Sequence, residues 1–507
     1  MTKRIFCLLL AALMILPMAA CNESTPAETT GTAVTTAPTS GDSEPVAETT
    51  ADPDADSLPE TMDFDNAEVN ILTRTGSKAV AREFAIEEIT ADRVEDAVYL
   101  RNEAVMDRLN IKLGFVKTDD TEHLPTQTQA RIRQMNQAGT NEFNIVTNHM
   151  GQNSTCILEG CYQDITPLEY LDLGAKWWNQ DFNDIGNVDG AMYQVTGEIA
   201  LTMISGMYVM FFNKELWEDH NPDGASMYDI VRNKEWTMDK MIEICEGVYV
   251  DENGDGNRDD GDTYGFVQLA GMSLIHDAFS GAANLTFCEL GEDGYWHMAL
   301  HKDERTFLFM EKMNQLLFDS GATRLWKSES GGEMTKFAEG TTLFECWMLG
   351  EGVQKLADSD VEYGVIPLPM LDDAQGKYTS FVHNGSSVIS IPRTIGEEEL
   401  PLLGATLEAL AAENYRAVVP EYFDVALKGR YANAPEDAEM MDLVRSTVTT
   451  NFFNLYNTQL NSISAQFRNF FGGDTARTDA ASFFAAWANS VDIRVQILMD
   501  KMVDLTE

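Results

Sequence analysis

Apolar and polar positions alternate with a period of two from Glu68 to Thr73, which places Val69 and Ile71 on one face of a strand. The spacing then changes. Val94, Ala97, Val98, Val105 and Leu109 recur at helical intervals, and Ile111, Leu113 and Phe115 return to the strand period. A second helix is predicted near residues 125–138 and a third strand from Phe143 to Thr147. Strand and helix thus alternate, an order that favours a parallel sheet covered by helices. Such sheets bind ligands beyond the carboxyl ends of their strands. Here those ends read Thr73-Arg74-Thr75-Gly76 and Thr147-Asn148-His149.

Further along, Tyr208 to Phe212 form an apolar strand, and Asn213 is placed to cap the helix that follows. Thr237 is placed to cap another helix, with Met238, Met241, Ile242, Cys245 and Val248 as its buried stripe. Gly340 ends a helical stretch and feeds a strand on which Leu343, Glu345 and Trp347 share one face. Tyr363 to Ile366 reads as a strand that must stop at Pro367 and Pro369, and Val388 to Ile391 as a buried one. Helix-like periodicity also covers roughly residues 304–319, 397–427, 437–450 and 477–506.

The order of three segments carries a resemblance. Phe212-Asn213-Lys214-Glu215-Leu216 comes first, then Phe337 to Trp347, then Tyr363-Gly364-Val365-Ile366-Pro367-Leu368-Pro369. This order resembles the family 1 extracellular solute-binding proteins of ABC importers, over roughly Val69 to the C-terminus. The resemblance implies an α/β, two-lobed, periplasmic-binding-protein-like fold (type II). Each lobe would be a mainly parallel sheet flanked by helices, with a multi-pass hinge. It places lobe one at residues 64–203 and 350–400, and lobe two at 204–349 and 401–507. In that family the loops matching Arg74, Asn148 and His149 face the cleft. A small solute, an oligosaccharide by family analogy, and an ABC transporter permease are the implied partners, with the chain a monomer.

Aromatic planes suit the C–H faces of sugars, so Trp177, Trp178, Tyr193 and Trp347 are the aromatic candidates for the cleft. Adjacent residues point apart, so at least one of Trp177 and Trp178 is expected in the core.

The ends and the charge narrow the setting. Lys3 and Arg4 precede an apolar run from Ile5 to Leu16, too short to span a bilayer, so residues 1–20 read as a signal peptide. Pro17-Met18-Ala19-Ala20-Cys21 resembles a bacterial lipobox, which implies a lipidated Cys21 on the outer face of the cytoplasmic membrane. The lipid would be the only contact with the membrane. Asn22 to Asp63 holds ten Thr and ten acidic residues without Lys, Arg or an aromatic, so residues 21–63 are expected to be a solvated tether. A formal net charge of −47 repels phosphate backbones and excludes nucleic acid as a partner.

Cys156, Cys161, Cys245, Cys288 and Cys346 are too few and too odd for a disulfide framework, although Cys156 and Cys161 could pair across a loop. No second pair has zinc-ligand spacing.

Asp251-Glu252-Asn253-Gly254-Asp255-Gly256-Asn257-Arg258-Asp259-Asp260-Gly261-Asp262 is the sharpest local motif. Oxygen ligands at its first, third and fifth positions and Gly256 at the sixth fit a Ca2+ loop. Asn257 and Asp259 take the seventh and ninth positions, and Asp262 stands where Glu is usual, with Asp260 a substitute. The resemblance implies a single structural calcium site. No nucleophile elbow, zinc-protease, P-loop or dinucleotide motif is present, so the chain is not expected to be an enzyme. A tethered, calcium-stabilised glycan hydrolase and a surface adhesion module are the alternatives.

Overall fold

The computed structural model describes residues 54–271, 273–321, 323–327, 332–428 and 435–505. The signal peptide, Cys21 and most of the expected tether lie outside them.

Two sheets organise the body. In the first, the strand order is Ser387–Ser390, Ile145–His149, Ala67–Arg74, Ile111–Thr118. Ala67–Arg74 runs parallel to both neighbours, and its register on the outer strand extends from Ala67↔Ile111 to Arg74↔Thr118. Ser387–Ser390 joins antiparallel. The helix Arg93–Leu109 between the first two strands starts at Asp92, whose carboxylate accepts from Val94 and Glu95 N–H. It stops at Asn110, which takes the left-handed conformation. Every strand and helix expected in this half is present.

The second sheet orders Tyr363–Ile366, Tyr208–Asn213, Thr342–Met348, Tyr264–Leu269, Thr323–Trp326. Tyr264–Leu269 is parallel to both neighbours, whereas Tyr208–Asn213 is antiparallel to both of its own. Tyr208–Asn213 is buried throughout, as its unbroken apolar run requires. The expected caps form: Asn213 Oδ1 accepts from Leu216 N–H at 3.1 Å, and Thr237 Oγ1 from Lys240 N–H at 3.2 Å.

Among the described residues, three connecting segments lie side by side between the two halves. Met207 bridges Val382, and Ser380 and Phe381 pair with Val448 and Thr449. This is the two-lobed, multi-pass arrangement, in which a few passage residues absorb relative motion of the halves.

The lobe boundaries differ from those expected in two places. Tyr363–Ile366 pairs with Tyr208–Asn213, so this part of 350–400 belongs to the second sheet. Period-two alternation marks a strand but carries no information about which sheet it joins. The helix Leu400–Glu413 packs on Arg93–Leu109, and Phe452–Leu455 on Met150–Leu158, so parts of 401–507 cover the first half.

The tether also ends earlier than expected. Asp56 accepts from Arg108 Nη1 and Nη2, each at 2.7 Å, and from Arg416 at 3.1 Å, and Leu58 is buried. Residues 54–63 therefore belong to the body. Among the described residues no helix is long and apolar enough to cross a membrane.

Candidate functional site

Parallel strands bring the segments after Arg74, Thr118 and His149 to one edge of the first sheet. Across from it, Thr342–Met348 carries Trp347 next to its end and runs into the helix Leu349–Lys355. That helix lies flat on the sheet because Gly352 has no side chain; a Cβ there would sit 2.4 Å from Phe211 Cζ. Trp347 is half-buried, its Nε1 donates to Glu351 at 3.0 Å, and Lys355 Nζ stands 5.6 Å from the ring centre.

The halves touch at this rim. His123 Nε2 lies 3.6 Å from Glu122 Oε1 and 4.0 Å from Glu351 Oε1, joining the loop after Thr118 to the facing helix. Ser77 Oγ donates to Glu122. Behind His123 the His383 ring sits edge-on at 5.5 Å, with Tyr208 beyond it at 6.3 Å. Burial, with the His123, Arg468 and Arg74 charges adding to it, pushes the His383 imidazole down to about 3, so it is neutral at physiological pH. The rim thus offers carboxylate acceptors, the Lys355 cation and a half-buried indole, the chemistry that orients a polyhydroxylated solute. Glu122, His123 and Glu351 were not singled out from the sequence. The strand-end rule would have found the first two had the strand been extended from Phe115 to Thr118.

Arg74 lies at this edge but points inward. Its guanidinium is fully buried and donates to Thr121 O, Gly385 O and Ser387 Oγ at 3.1, 3.1 and 2.7 Å. Ser387 Oγ donates in turn to the buried Glu83, which accepts from Thr202 N–H and Oγ1 at 2.8 and 2.6 Å. This network ties the first sheet to two of the passages, so in this conformation Arg74 holds the hinge and presents no face to a solute.

Asn148 is fully buried and donates to Asn153 Oδ1 at 2.8 Å. His149 is buried beside it, and burial, followed by the Arg74 charge, holds its imidazole well below the usual range. Tyr193 is not brought to the rim. It lies buried near Asp164 and Arg393, beyond the opposite end of Ser387–Ser390, and burial raises its hydroxyl. The antiparallel approach of Val195 to Ile389 carries Tyr193 to that end.

Trp177 and Trp178 are both buried. Trp178 Nε1 donates to Glu408 at 3.1 Å, and Trp177 tilts against Tyr415 with ring centres 6.2 Å apart. They line a cavity of about 480 Å³ beside the passages, shared with Glu198, Tyr415, Asp442 and Arg445. Arg445 spans it by donating to Glu198 Oε1 and Oε2 at 2.7 and 2.5 Å.

The calcium-type loop is held in a tight coil. Asp251 accepts from Gly254 and Gly256 N–H at 2.7 and 2.8 Å, Asn253 from Asp255 N–H at 2.8 Å, and Asp255 from Asn257 N–H at 2.7 Å. Asp259 accepts from Gly261 N–H at 2.8 Å. Asp262 is only 2% exposed; its Oδ2 accepts from Asp259 N–H at 3.1 Å while its Oδ1 has no partner. A buried carboxylate oxygen without a donor fits a cation. Asp260, the expected substitute, has its Oδ1 held by Arg324 Nε and Nη2 at 2.9 and 2.6 Å, which leaves Asp262 the better-placed ligand.

Sequence comparison finds no match among family models or curated proteins. Comparison of folds does. A family 1 extracellular solute-binding protein from Bifidobacterium longum subsp. infantis superposes with a TM-score of 0.53 at 13% identity, covering 85% of this chain and 99% of its own. The galacto-N-biose/lacto-N-biose I-binding protein of the Bifidobacterium longum ABC transporter, in complex with lacto-N-biose, gives 0.52 at 14%, covering 86% and 98%. A Streptomyces glaucescens receptor, solved unliganded and with acarbose, gives 0.51 at 12%, covering 84% and 99%. The chain shares, over nearly the whole length of each, the two-lobed α/β fold of these three proteins.

Proposed function

We propose that this chain is a lipid-anchored extracellular solute-binding protein that closes its two halves on an oligosaccharide and delivers it unaltered to an ABC importer. The observation that carries the reading is the meeting of the Glu122–His123 loop with Glu351 beside the half-buried Trp347. Groups from both halves converge there, so a solute held between them would favour closure through its extra contacts in the closed form. The shared fold supports this reading, since neighbours were solved with lacto-N-biose and with acarbose. Cys21 anchors the chain to the outer face of the cytoplasmic membrane, and the permease is its partner. Thermal shift with a panel of mono- and oligosaccharides tests the reading: a rise in melting temperature without product supports it. Product release would point to a hydrolase, and no response from any sugar to an adhesion module. Cys21→Ser should release the protein from membranes.

Calcium is the second part of the proposal. Asp251, Asn253, Asp255 and Asp262 supply side-chain oxygens and Asn257 its carbonyl, with Asp259 at the ninth position. When bound, the ion would offset the repulsion of clustered carboxylates and staple the loop ahead of Tyr264–Leu269.

A further inference from the structure

The helix Met150–Leu158 begins next to His149 at the rim edge and ends far from it in a closed turn. Gly160 takes φ of +67°, its N–H donates to Ile157 O at 2.8 Å, and Cys161 N–H donates to Cys156 O at 3.0 Å. These two bonds define the Schellman ending, in which the third-last helical residue and the second residue past the cap are pressed together. Apolar side chains usually meet there. Here the pair is Cys156 and Cys161, and the turn rather than chance folding brings the two thiols together.

Their sulfur atoms lie within 4.8 Å of one another, with a carboxylate oxygen of Glu159 in the same group. The surroundings differ for each thiol. Both residues are buried, Cys156 fully and Cys161 to 4% exposure, but Cys161 also lines an open groove of about 570 Å³ together with Arg133, Glu159, Arg393 and Thr394. Arg133 Nε donates to Glu159 at 2.6 Å, which turns that carboxylate toward the arginine. The hydrogen bond from Cys156 lowers the Cys161 thiol, with Arg133 adding to it, while Cys156 is raised by the same bond and by burial.

We propose that Cys156 and Cys161 are a reversible thiol–disulfide pair, with Cys161 the thiol that meets a disulfide oxidant in the groove. The Cys161 thiolate attacks one sulfur of a small-molecule or protein disulfide, breaking its S–S bond and releasing one thiolate. Cys156 then gives its proton to solvent and attacks Cys161 Sγ, which expels the second thiolate. The oxidant leaves as two thiols, and the chain keeps one new S–S bond across the helix end. A metal is disfavoured because Glu159 is engaged by Arg133.

The test equilibrates the full chain, purified reduced, across mixtures of reduced and oxidised glutathione. Quenching with iodoacetamide in denaturant is followed by digestion and mass spectrometry. The peptide carrying both cysteines should pass from doubly alkylated to unalkylated, lighter by a pair of hydrogens, while Cys245, Cys288 and Cys346 are alkylated throughout. Cys156→Ser should trap glutathione on Cys161, and Cys161→Ser should leave Cys156 without it. Alkylation of both cysteines across the whole series would overturn the proposal. So would a glutathione adduct that never resolves in the unaltered chain, or stoichiometric zinc in the reduced protein. The unaltered chain decides the central question even where a variant fails to fold.

Discussion

At the scale of single residues, buried polar groups decide more than exposed ones. Glu408 is fully buried, receives Trp178 Nε1–H and Asp172 N–H, and burial pushes its carboxyl up to about 7 despite those two bonds. The unfolded chain releases that proton near pH 4.3, on the order of the free side chain. Between those values the folded state holds more protons than the unfolded one. The stabilising effect of the neutral form is therefore complete below the unfolded value and is lost as pH rises through the folded one. Glu408→Gln keeps an acceptor for Trp178 and cannot ionise. Unfolding free energies from denaturant titrations should fall less from acid to neutral pH for this variant than for the unaltered chain, by about 1–3 kcal/mol across the window. Equal slopes would contradict the assignment. Trp347→Ala should weaken solute binding by about 0.5–1.5 kcal/mol through loss of ring contact, measured by calorimetry. At this scale the sequence was a partial guide. Strand parity marked Trp347 correctly as a face residue. That Trp178 would find its acceptor in Glu408, far along the chain, or that Arg74 would turn inward, depends on contacts that no local pattern records.

Among the elements, strands and helices were readable where their periodicity was strong. Tyr208–Asn213, Thr342–Met348 and Arg93–Leu109 fall within a few residues of where alternation and capping place them. Sheet membership was not readable. Tyr363–Ile366 has the same pattern whichever edge it joins, and the choice is made by packing. The hinge shows the same dependence, for Arg74, Glu83, Thr202 and Ser387 come from four separate stretches. Arg74→Gln should take the positive charge from near buried Glu83, break the bonds to Gly385 and Ser387, and destabilise the fold by about 3–5 kcal/mol, read from chemical denaturation. A change under about 1 kcal/mol would show that the network carries little. The acidic coil gives a separate test. Removing calcium with EDTA should lower the melting temperature, and Asp251→Asn should abolish the calcium-dependent increment. An unchanged melt, with no metal detected by elemental analysis, would remove the site.

Over its described residues the whole molecule is two sheet-centred halves joined by adjacent passages, with facing edges that meet where His123 approaches Glu351. The acidic surface, a net −47, keeps polyanions such as nucleic acids away. The most direct measurement is isothermal titration of the full chain with a series of oligosaccharides, each recovered and analysed afterwards. Saturable binding of one solute per chain, with the sugar recovered intact, is the predicted result. Heat from no member of the series, or recovery of cleaved sugar, would contradict a protein built to shut on a guest and pass it on unchanged.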